Sequence, residues 1–300
     1  MAEDVLRIAD GPLEVELLPW FGARIHRLRA FGQDIIRTPE RLEVHLEDPI
    51  GWGAYTMAPW CNRLPMVATA VGDRIVQVPE SFGDGWALHG QVVDVPWDRA
   101  TDGSLVVQGG GGGWPWFYRV AQRITIHDAS LHIALSLTNL ADEPMPGGLG
   151  IHPWFRRPLE VRLAGRRVVP SNRDPRAVLQ PVTGDLDLRR LRPVPDGLDA
   201  AWTDLDDPIA ELHWPKLGLR AEISLRSEAG RCVALASPTN LEAVAIEPQT
   251  HLPQGLGRLL GGEPGGLHLL GPGATLRLTT EWRFSRGLGQ VLARPARPCR

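Results

Sequence analysis

Apolar and polar residues alternate with a period of two along most of the chain, a pattern typical of β-strands with one buried face. The segment Leu13-Glu14-Val15-Glu16-Leu17 shows the alternation most plainly. Glycine, proline and aspartate separate the alternating segments, as expected for turns. The pattern predicts strands at residues 13–17, 24–29, 33–36, 74–78, 105–107, 118–126, 131–137, 159–163, 209–214, 218–225, 232–236, 243–246 and 275–284.

The remaining segments predict loops rather than helices, because no stretch of twelve residues has an amphipathic helical pattern. Residues 51–65 are rich in glycine and tryptophan and predict a structured loop. Residues 170–195 predict a long connection with a short strand or two. Many short strands with frequent turns indicate an all-β sandwich or barrel. We expect one domain over residues 1–285 and a mobile tail over residues 286–300.

Composition and charge limit the classes of function. The chain is 43% hydrophobic, enough to bury a large core. A net charge of −3 gives no reason to expect nucleic acid as a partner. No apolar run approaches the roughly 20 residues of a membrane span, and no signal peptide is evident. Cys61, Cys232 and Cys299 show no paired spacing, so we expect a reduced, cytoplasmic location and no membrane partner.

His152 is the first candidate for chemistry. It lies between glycines and the aromatic residues Trp154 and Phe155, and Pro153 follows it directly. The proline biases His152 toward an extended conformation at a strand end. An imidazole beside aromatic faces suits a polar ligand with an apolar side, such as a sugar. A structural histidine in a turn is the alternative interpretation.

Glu247 is the second candidate, since it ends the apolar run 243–246 and also precedes a proline, Pro248. A carboxylate at the end of a buried run is costly unless it is hydrogen-bonded or has a chemical task. A histidine and a glutamate held at two strand ends would form an acid–base pair. Spacing along the chain leaves open whether the two side chains meet.

Five short segments together resemble the aldose 1-epimerases, or galactose mutarotases, and especially their shorter bacterial branch. They occur in family order within about residues 10–284, and their ordered occurrence makes the resemblance specific. The segments are PWCNRL at 59–64, LHG at 88–90, GLGIHPWF at 148–155, LD at 198–199 and EPQTH at 247–251.

The resemblance implies a large antiparallel β-sandwich whose concave face binds a monosaccharide, an aldohexose, without a metal or an organic cofactor. It implies an isomerase that interconverts α- and β-anomers, as a monomer or a homodimer. Glu247 corresponds to the general base of the family and His152 to its general acid. The positions implied to contact the sugar are Arg63, His89, Asp199, Asn62 and Trp154.

Two departures from the family pattern leave the substrate open. Trp154 follows the His152-Pro153 pair where tyrosine is more usual. After the EPQT segment, His251 leads to Gln254 and Gly255 rather than to an acidic residue and an aromatic one. Neither departure removes a reacting group.

Three alternatives stay open. A metal could bind His89, His152, Glu247 and His251, but two prolines, Pro248 and Pro253, oppose the helix that would align the last two. The protein could instead bind a sugar without catalysis. It could also act on a phosphorylated hexose, with a phosphate site drawn from Arg156, Arg157, Arg166, Arg167 and Arg173.

Overall fold

The structure, a computed structural model, describes residues 4–287, and antiparallel strands form most of its regular secondary structure. One sheet contains eighteen strands. Its longer strands are β1 (Leu6–Asp10), β2 (Leu13–Leu18), β3 (Arg24–Ala30), β5 (Ala54–Met57), β11 (Leu105–Gly111), β12 (Trp114–His127), β13 (Ser130–Asn139), β15 (Gly150–Arg156), β16 (Glu160–Val169), β19 (Asp199–Trp214), β20 (Leu219–Ser227), β21 (Cys232–Ala236), β22 (Ala243–Gln249) and β24 (Thr275–Arg286).

The remaining strands and the helices are short, and they include the 3₁₀-helices Gly184–Leu186 and Pro215–Leu217. The two-residue strands of the main sheet are β4 (Gln33–Asp34), β10 (Asp98–Arg99), β17 (Gln180–Pro181) and β18 (Arg192–Pro193). Three small ribbons pair β6 (Arg63–Leu64) with β9 (Ala87–Leu88), β7 (Thr69–Val71) with β8 (Arg74–Val76), and β14 (Met145–Gly147) with β23 (His268–Leu270). The α-helices are α1 (Val44–Glu47) and α2 (Gly255–Leu260).

The long strand β19 connects the two halves of the main sheet. One half of β19 pairs with β20, which continues through β24, β13 and β12 to β11. Its other half pairs with β21, which continues through β22, β15, β5 and β3 to β2. The sheet therefore curls into two layers, with β16 along the other edge of β19.

The hydrophobic core lies between these layers. Phe155 of β15 and Trp282 of β24 are fully buried, and their ring centroids lie 5.3 Å apart. Each strand that packs on the core directs every second side chain toward it. The arrangement confirms the predicted all-β antiparallel sandwich. On β15 and β22, the opposite face carries the side chains of the candidate site.

The structure also corrects parts of the sequence interpretation. Residues 51–65 contain β5 and β6 rather than a loop alone. The connection at residues 170–195 contains the short strands β17 and β18, as predicted. The predicted tail lies outside the described residues, apart from Arg286, which ends β24, and Gly287. Within residues 4–287, no helix is long and apolar enough to cross a membrane.

Candidate active site

The two predicted reacting groups lie opposite each other on neighbouring strands. The ladder between β15 and β22 pairs residue 150 with residue 249 and residue 154 with residue 245. The same register sets His152 directly across from Glu247. The distance from His152 Nε2 to Glu247 Oε1 is 3.3 Å, and neither side chain is more than 5% exposed. Sequence spacing could not show this proximity, because the two residues meet only through strand pairing.

Pro153 and Pro248 coincide with an opening in this ladder. Proline supplies no N–H, so it interrupts the hydrogen bonds between strands. Accordingly, residues 151–153 of β15 make no cross-strand pairs with residues 246–248 of β22. Both strands nevertheless continue past their prolines, to Arg156 and Gln249. The prediction that the two reacting groups lie at strand ends is therefore wrong.

Glu247 is held by one hydrogen bond and surrounded by protein. The Gln249 side-chain amide donates to Glu247 Oε2 at 2.7 Å. Burial raises the pKa of the Glu247 carboxyl to about 8, and the nearby carboxylate of Asp199 adds to the rise. The Gln249 hydrogen bond and the charge of Arg63 act in the opposite direction. The carboxyl group therefore holds a proton to unusually high pH.

His152 is enclosed by aromatic rings. Tyr55 of β5 pairs with it across the ladder and stacks on its ring, with centroids 4.7 Å apart and planes 18° apart. His89 meets the imidazole edge-on at 5.0 Å. Burial lowers the pKa of His152 to about 3, and the positive charges of Arg63 and Arg24 contribute to this lowering.

Together these shifts give the pair one proton over a wide range of pH. The buried imidazole loses its proton at low pH, whereas the buried carboxyl keeps its proton until about pH 8. The two groups are close enough to titrate as a unit. A pair that holds one proton can give a proton at one atom and accept a proton at the other.

Charged side chains alternate at the mouth of the site. Arg63 Nε lies 2.6 Å from Asp84 Oδ2, and Arg63 Nη1 lies 3.7 Å from Asp199 Oδ2. Arg173 reaches the same two carboxylates from the connection between β16 and β17, at 3.2 Å and 3.3 Å. Each carboxylate thus lies between two guanidinium groups. This arrangement fixes Arg63, whose side chain is 8% exposed.

Asn62 and His89 lie at bends of the chain and have positive φ angles, +57° and +61°. The Asn62 backbone N–H donates to His89 Nδ1 at 3.3 Å, so the proton of a neutral His89 ring is on Nε2. Burial lowers the pKa of His89 well below its usual value. Gly90 follows His89 at φ +85°, where a Cβ would lie 1.9 Å from the carbonyl oxygen of Ala58. Glycine is therefore required for this close approach.

These side chains line a cavity of about 310 Å³. Trp154 forms part of its apolar wall, and its indole N–H donates to the Ile50 carbonyl at 2.6 Å. The seven residues predicted from the sequence all line this cavity. They are Glu247, His152, Arg63, His89, Asp199, Asn62 and Trp154. A larger groove of about 440 Å³ near His132 is lined mainly by surface charges.

Sequence reasoning missed four contributors to the site. Tyr55 was hidden in the segment interpreted as a loop, and Asp84 in a glycine-flanked turn. Gln249 belongs to the EPQT segment, but only the glutamate of that segment was given a role. Arg173 was named only as one of several arginines for a phosphate. No signal in the sequence connects Asp84 or Arg173 with Arg63, because their contacts depend on the folded loops.

Several other candidate residues lie elsewhere. Arg156 and Arg157 line a separate groove with Lys216, and Arg157 pairs with Asp196 at 2.7 Å. His251 does not line the cavity, and both of its ring nitrogens are engaged. Its Nδ1–H donates to the Leu252 carbonyl, and its Nε2 accepts the Cys61 N–H at 3.0 Å. The ring thus has no free nitrogen for the metal site considered from the sequence.

The fold is of the galactose mutarotase-like type, a β-sandwich that here carries a polar cavity on one sheet. Residues 4–248 match the model of the family described as aldose 1-epimerase. The chain belongs to the aldose 1-epimerase family. Comparison with curated proteins found no match.

Solved structures show the same fold at low sequence identity. A protein of Escherichia coli K12, provisionally described as an aldose 1-epimerase, is 20% identical, with a TM-score of 0.80 over 94% of this chain and 99% of that chain. A galactose mutarotase-like protein of Clostridium acetobutylicum is 18% identical, with a TM-score of 0.80 over 94% and 95%. Galactose 1-epimerase of Lactobacillus acidophilus NCFM is 18% identical, with a TM-score of 0.75 over 95% of each chain.

Proposed function

We propose that this protein is an aldose 1-epimerase that interconverts the α- and β-anomers of an uncharged aldohexose. The observation that carries the proposal is the buried pair His152–Glu247, with 3.3 Å between its reacting atoms. Anomer exchange requires one proton to leave the C1 hydroxyl and another to reach the ring oxygen. One proton-accepting group and one proton-donating group at this spacing meet that requirement.

In the proposed reaction, the single proton of the pair first passes from Glu247 to His152. Ionised Glu247 then takes the proton of the C1 hydroxyl while protonated His152 gives its proton to the ring oxygen. The bond between C1 and the ring oxygen breaks as the C1 carbonyl forms. After rotation about the C1–C2 bond, the two groups reverse their roles and the ring closes on the other face. The pair holds one proton before and after each step, so no external acid or base is consumed.

The other cavity residues bind and orient the sugar. Arg63 and the Nε2–H of His89 donate hydrogen bonds to sugar oxygens, and Asp199 accepts hydrogen bonds from hydroxyl groups. Trp154 covers the apolar C–H face. Because Arg63 and Arg173 are both paired with Asp84 and Asp199, the cavity offers no unpaired cation for a phosphate among its described residues. We therefore favour an uncharged hexose over a phosphorylated one.

The test is polarimetry of freshly dissolved α-glucose and α-galactose with the wild-type protein and with Glu247→Gln. The amide preserves the size of the side chain but cannot take the proton. We expect rapid mutarotation with the wild type and only the spontaneous rate with the variant, while sugar binding by calorimetry stays within about threefold. The variant, purified in the same way, also controls for a contaminating mutarotase of the expression host.

Equal rates for the two proteins would refute the catalytic role of Glu247. Sugar binding by a wild type that leaves the spontaneous rate unchanged would instead support the non-catalytic sugar-binding alternative. A wild type that acts only on hexose 6-phosphates would show that the cavity accepts a phosphate despite its paired arginines. Assembly as a monomer or homodimer and a cytoplasmic location stay predictions.

A further inference from the structure

The Glu247 carboxylate is oriented by a chain of two buried amides. Gln249 is fully buried and lies two residues beyond Glu247 on β22, so both side chains lie on the same face. Its Nε2 donates to Glu247 Oε2 at 2.7 Å. Its Oε1 accepts a hydrogen bond from Asn62 Nδ2 at 2.8 Å. The first contact engages one carboxylate oxygen and leaves the other, Oε1, facing His152.

Asn62 decides which end of the Gln249 amide meets Glu247. An amide presents a donor at one end and an acceptor at the other. Because the Asn62 Nδ2 can only donate, it holds the oxygen of Gln249 on its own side and turns the Gln249 donor toward the carboxylate. Without this constraint, the amide could rotate and place its oxygen against the ionised Glu247, which is unfavourable.

The backbone of Asn62 is fixed as well. Its N–H donates to His89, and the preceding N–H, of Cys61, donates to His251. Asn62 is 2% exposed and has a φ of +57°, which asparagine tolerates better than most residues. The Asn62 side chain therefore reaches Gln249 from a rigid segment.

We infer that Asn62 and Gln249 are positioning residues that hold the Glu247 carboxylate with Oε1 toward His152 and stabilise its ionised form. This inference rests on the proposed function and assigns Asn62 a role beyond the sugar contact expected from the sequence. It predicts that the two residues act on catalysis through one path, Asn62 to Gln249 to Glu247. A sugar contact by Asn62 would act independently of Gln249.

The proton affinity of Glu247 depends on every charged neighbour, and these remain in place when Gln249 is changed. The titratable and charged groups around Glu247 come from the loops and strands on all sides of it. They are His152, Asp199, Arg63, His89, Tyr55, Asp84, Arg173, Cys61 and Cys232. A change of titration in a Gln249 variant with these groups intact therefore reports the loss of the amide side chain.

The first experiment is a double-mutant cycle followed by polarimetry. Gln249→Leu should lower kcat about 10- to 100-fold with little change in KM, because it removes a hydrogen bond to a charged group. It should also move the alkaline limb of the kcat/KM profile to higher pH. Asn62→Gly, which suits the positive φ, should lower kcat about 2- to 10-fold. Adding Asn62→Gly to Gln249→Leu should cause no further loss.

The matched control is Gln122→Leu. Gln122 is a buried glutamine that also makes two side-chain hydrogen bonds, with Ala23 and Thr56, but it does not line the cavity. Its substitution should lower the free energy of unfolding and leave the alkaline limb in place. Additive losses for Asn62 and Gln249, or an equal shift of the limb in the control, would overturn the inference.

The second experiment separates this inference from the proposed function, because it needs no activity. In protein labelled with ¹³C at the glutamate carboxyl carbons, the signal that disappears in Glu247→Gln is assigned to Glu247. Its titration midpoint should rise in Gln249→Leu and stay unchanged in Gln122→Leu. An unchanged midpoint in Gln249→Leu would refute the role of the amide even if the wild type catalyses mutarotation. A raised midpoint in a protein without activity would refute only the proposed function.

Discussion

Replacing His152 with asparagine should convert a bell-shaped pH profile into a rising one. In the wild type, the one-proton state of the pair extends from the pKa of His152, about 3, to that of Glu247, about 8. The acid limb of kcat/KM therefore belongs to the imidazole and the alkaline limb to the carboxyl. Unperturbed groups would give the opposite order, because a free carboxyl titrates below a free imidazole. Burial reverses the order here.

The expected loss of rate in His152→Asn, and its dependence on pH, follow from the same two groups. Loss of the proton donor should cost about 10²–10⁴-fold in the maximal rate. In the variant, the only remaining requirement is an ionised Glu247. With a pKa of about 8, only about 1% of this carboxyl is ionised at pH 6, and about 90% is ionised at pH 9. The residual rate should therefore rise roughly 100-fold between these pH values.

The assay is polarimetry from pH 4 to pH 10 at constant ionic strength, with the rate of the Glu247→Gln protein subtracted at each pH. His251→Asn is the control, since His251 is a buried histidine outside the cavity whose pKa is also lowered, to about 4. The His251→Asn variant should keep the bell-shaped pH profile of kcat/KM, whatever its maximal rate. If His152→Asn kept a descending limb near pH 8, the shared-proton explanation would be refuted.

Three further predictions test other parts of the site. Because the pKa of Glu247 is raised from 4.5 to about 8 on folding, the folded state retains this proton while the unfolded state loses it. The free energy of unfolding of the wild type should thus fall relative to Glu247→Gln between pH 4.5 and 8, by up to roughly 5 kcal/mol in urea titrations. Tyr55→Phe should keep kcat within about twofold, because the ring face contacts His152. Tyr55→Leu, which removes the ring, should lower kcat further. A lower kcat in Tyr55→Phe than in Tyr55→Leu would implicate the hydroxyl. Exhaustive chelation should leave activity unchanged, and restoration of lost activity by one divalent ion would contradict this.

Much of the fold could be predicted because most strands bury only one face. The alternation at residues 131–137, for example, lies within β13, where Leu131, Ile133 and Leu135 are buried. The central strands of the site lack this signal. In β15, all residues from Gly150 to Phe155 are buried, so apolar and polar positions do not alternate. Pro153 and Pro248, taken alone, indicate strand ends.

The candidate site could be predicted in its residue types but not in its geometry. The ordered segments identified the seven residues that line the cavity. The position of Glu247 opposite His152 depends on the register of two strands that are almost 100 residues apart in sequence, and no local pattern encodes that register. The same holds for Asp84 and Arg173, whose roles arise from loops that meet only after folding. Burial, and therefore the direction of each pKa shift, also appears only in the folded protein.

The facing register of β15 and β22 would make the proposed activity a sensitive measure of correct folding. Successive residues of a strand point to opposite faces, so a slip of one residue would turn Glu247 into the hydrophobic core and bring Pro248 to the cavity. Inserting or deleting one residue within β22 would thus separate the two groups completely, even in a chain that still forms a sandwich. A change of the same size in a surface loop would leave the register intact. The proposed mutarotation would therefore distinguish the native strand pairing from shifted forms that spectroscopic measures of β-structure do not separate.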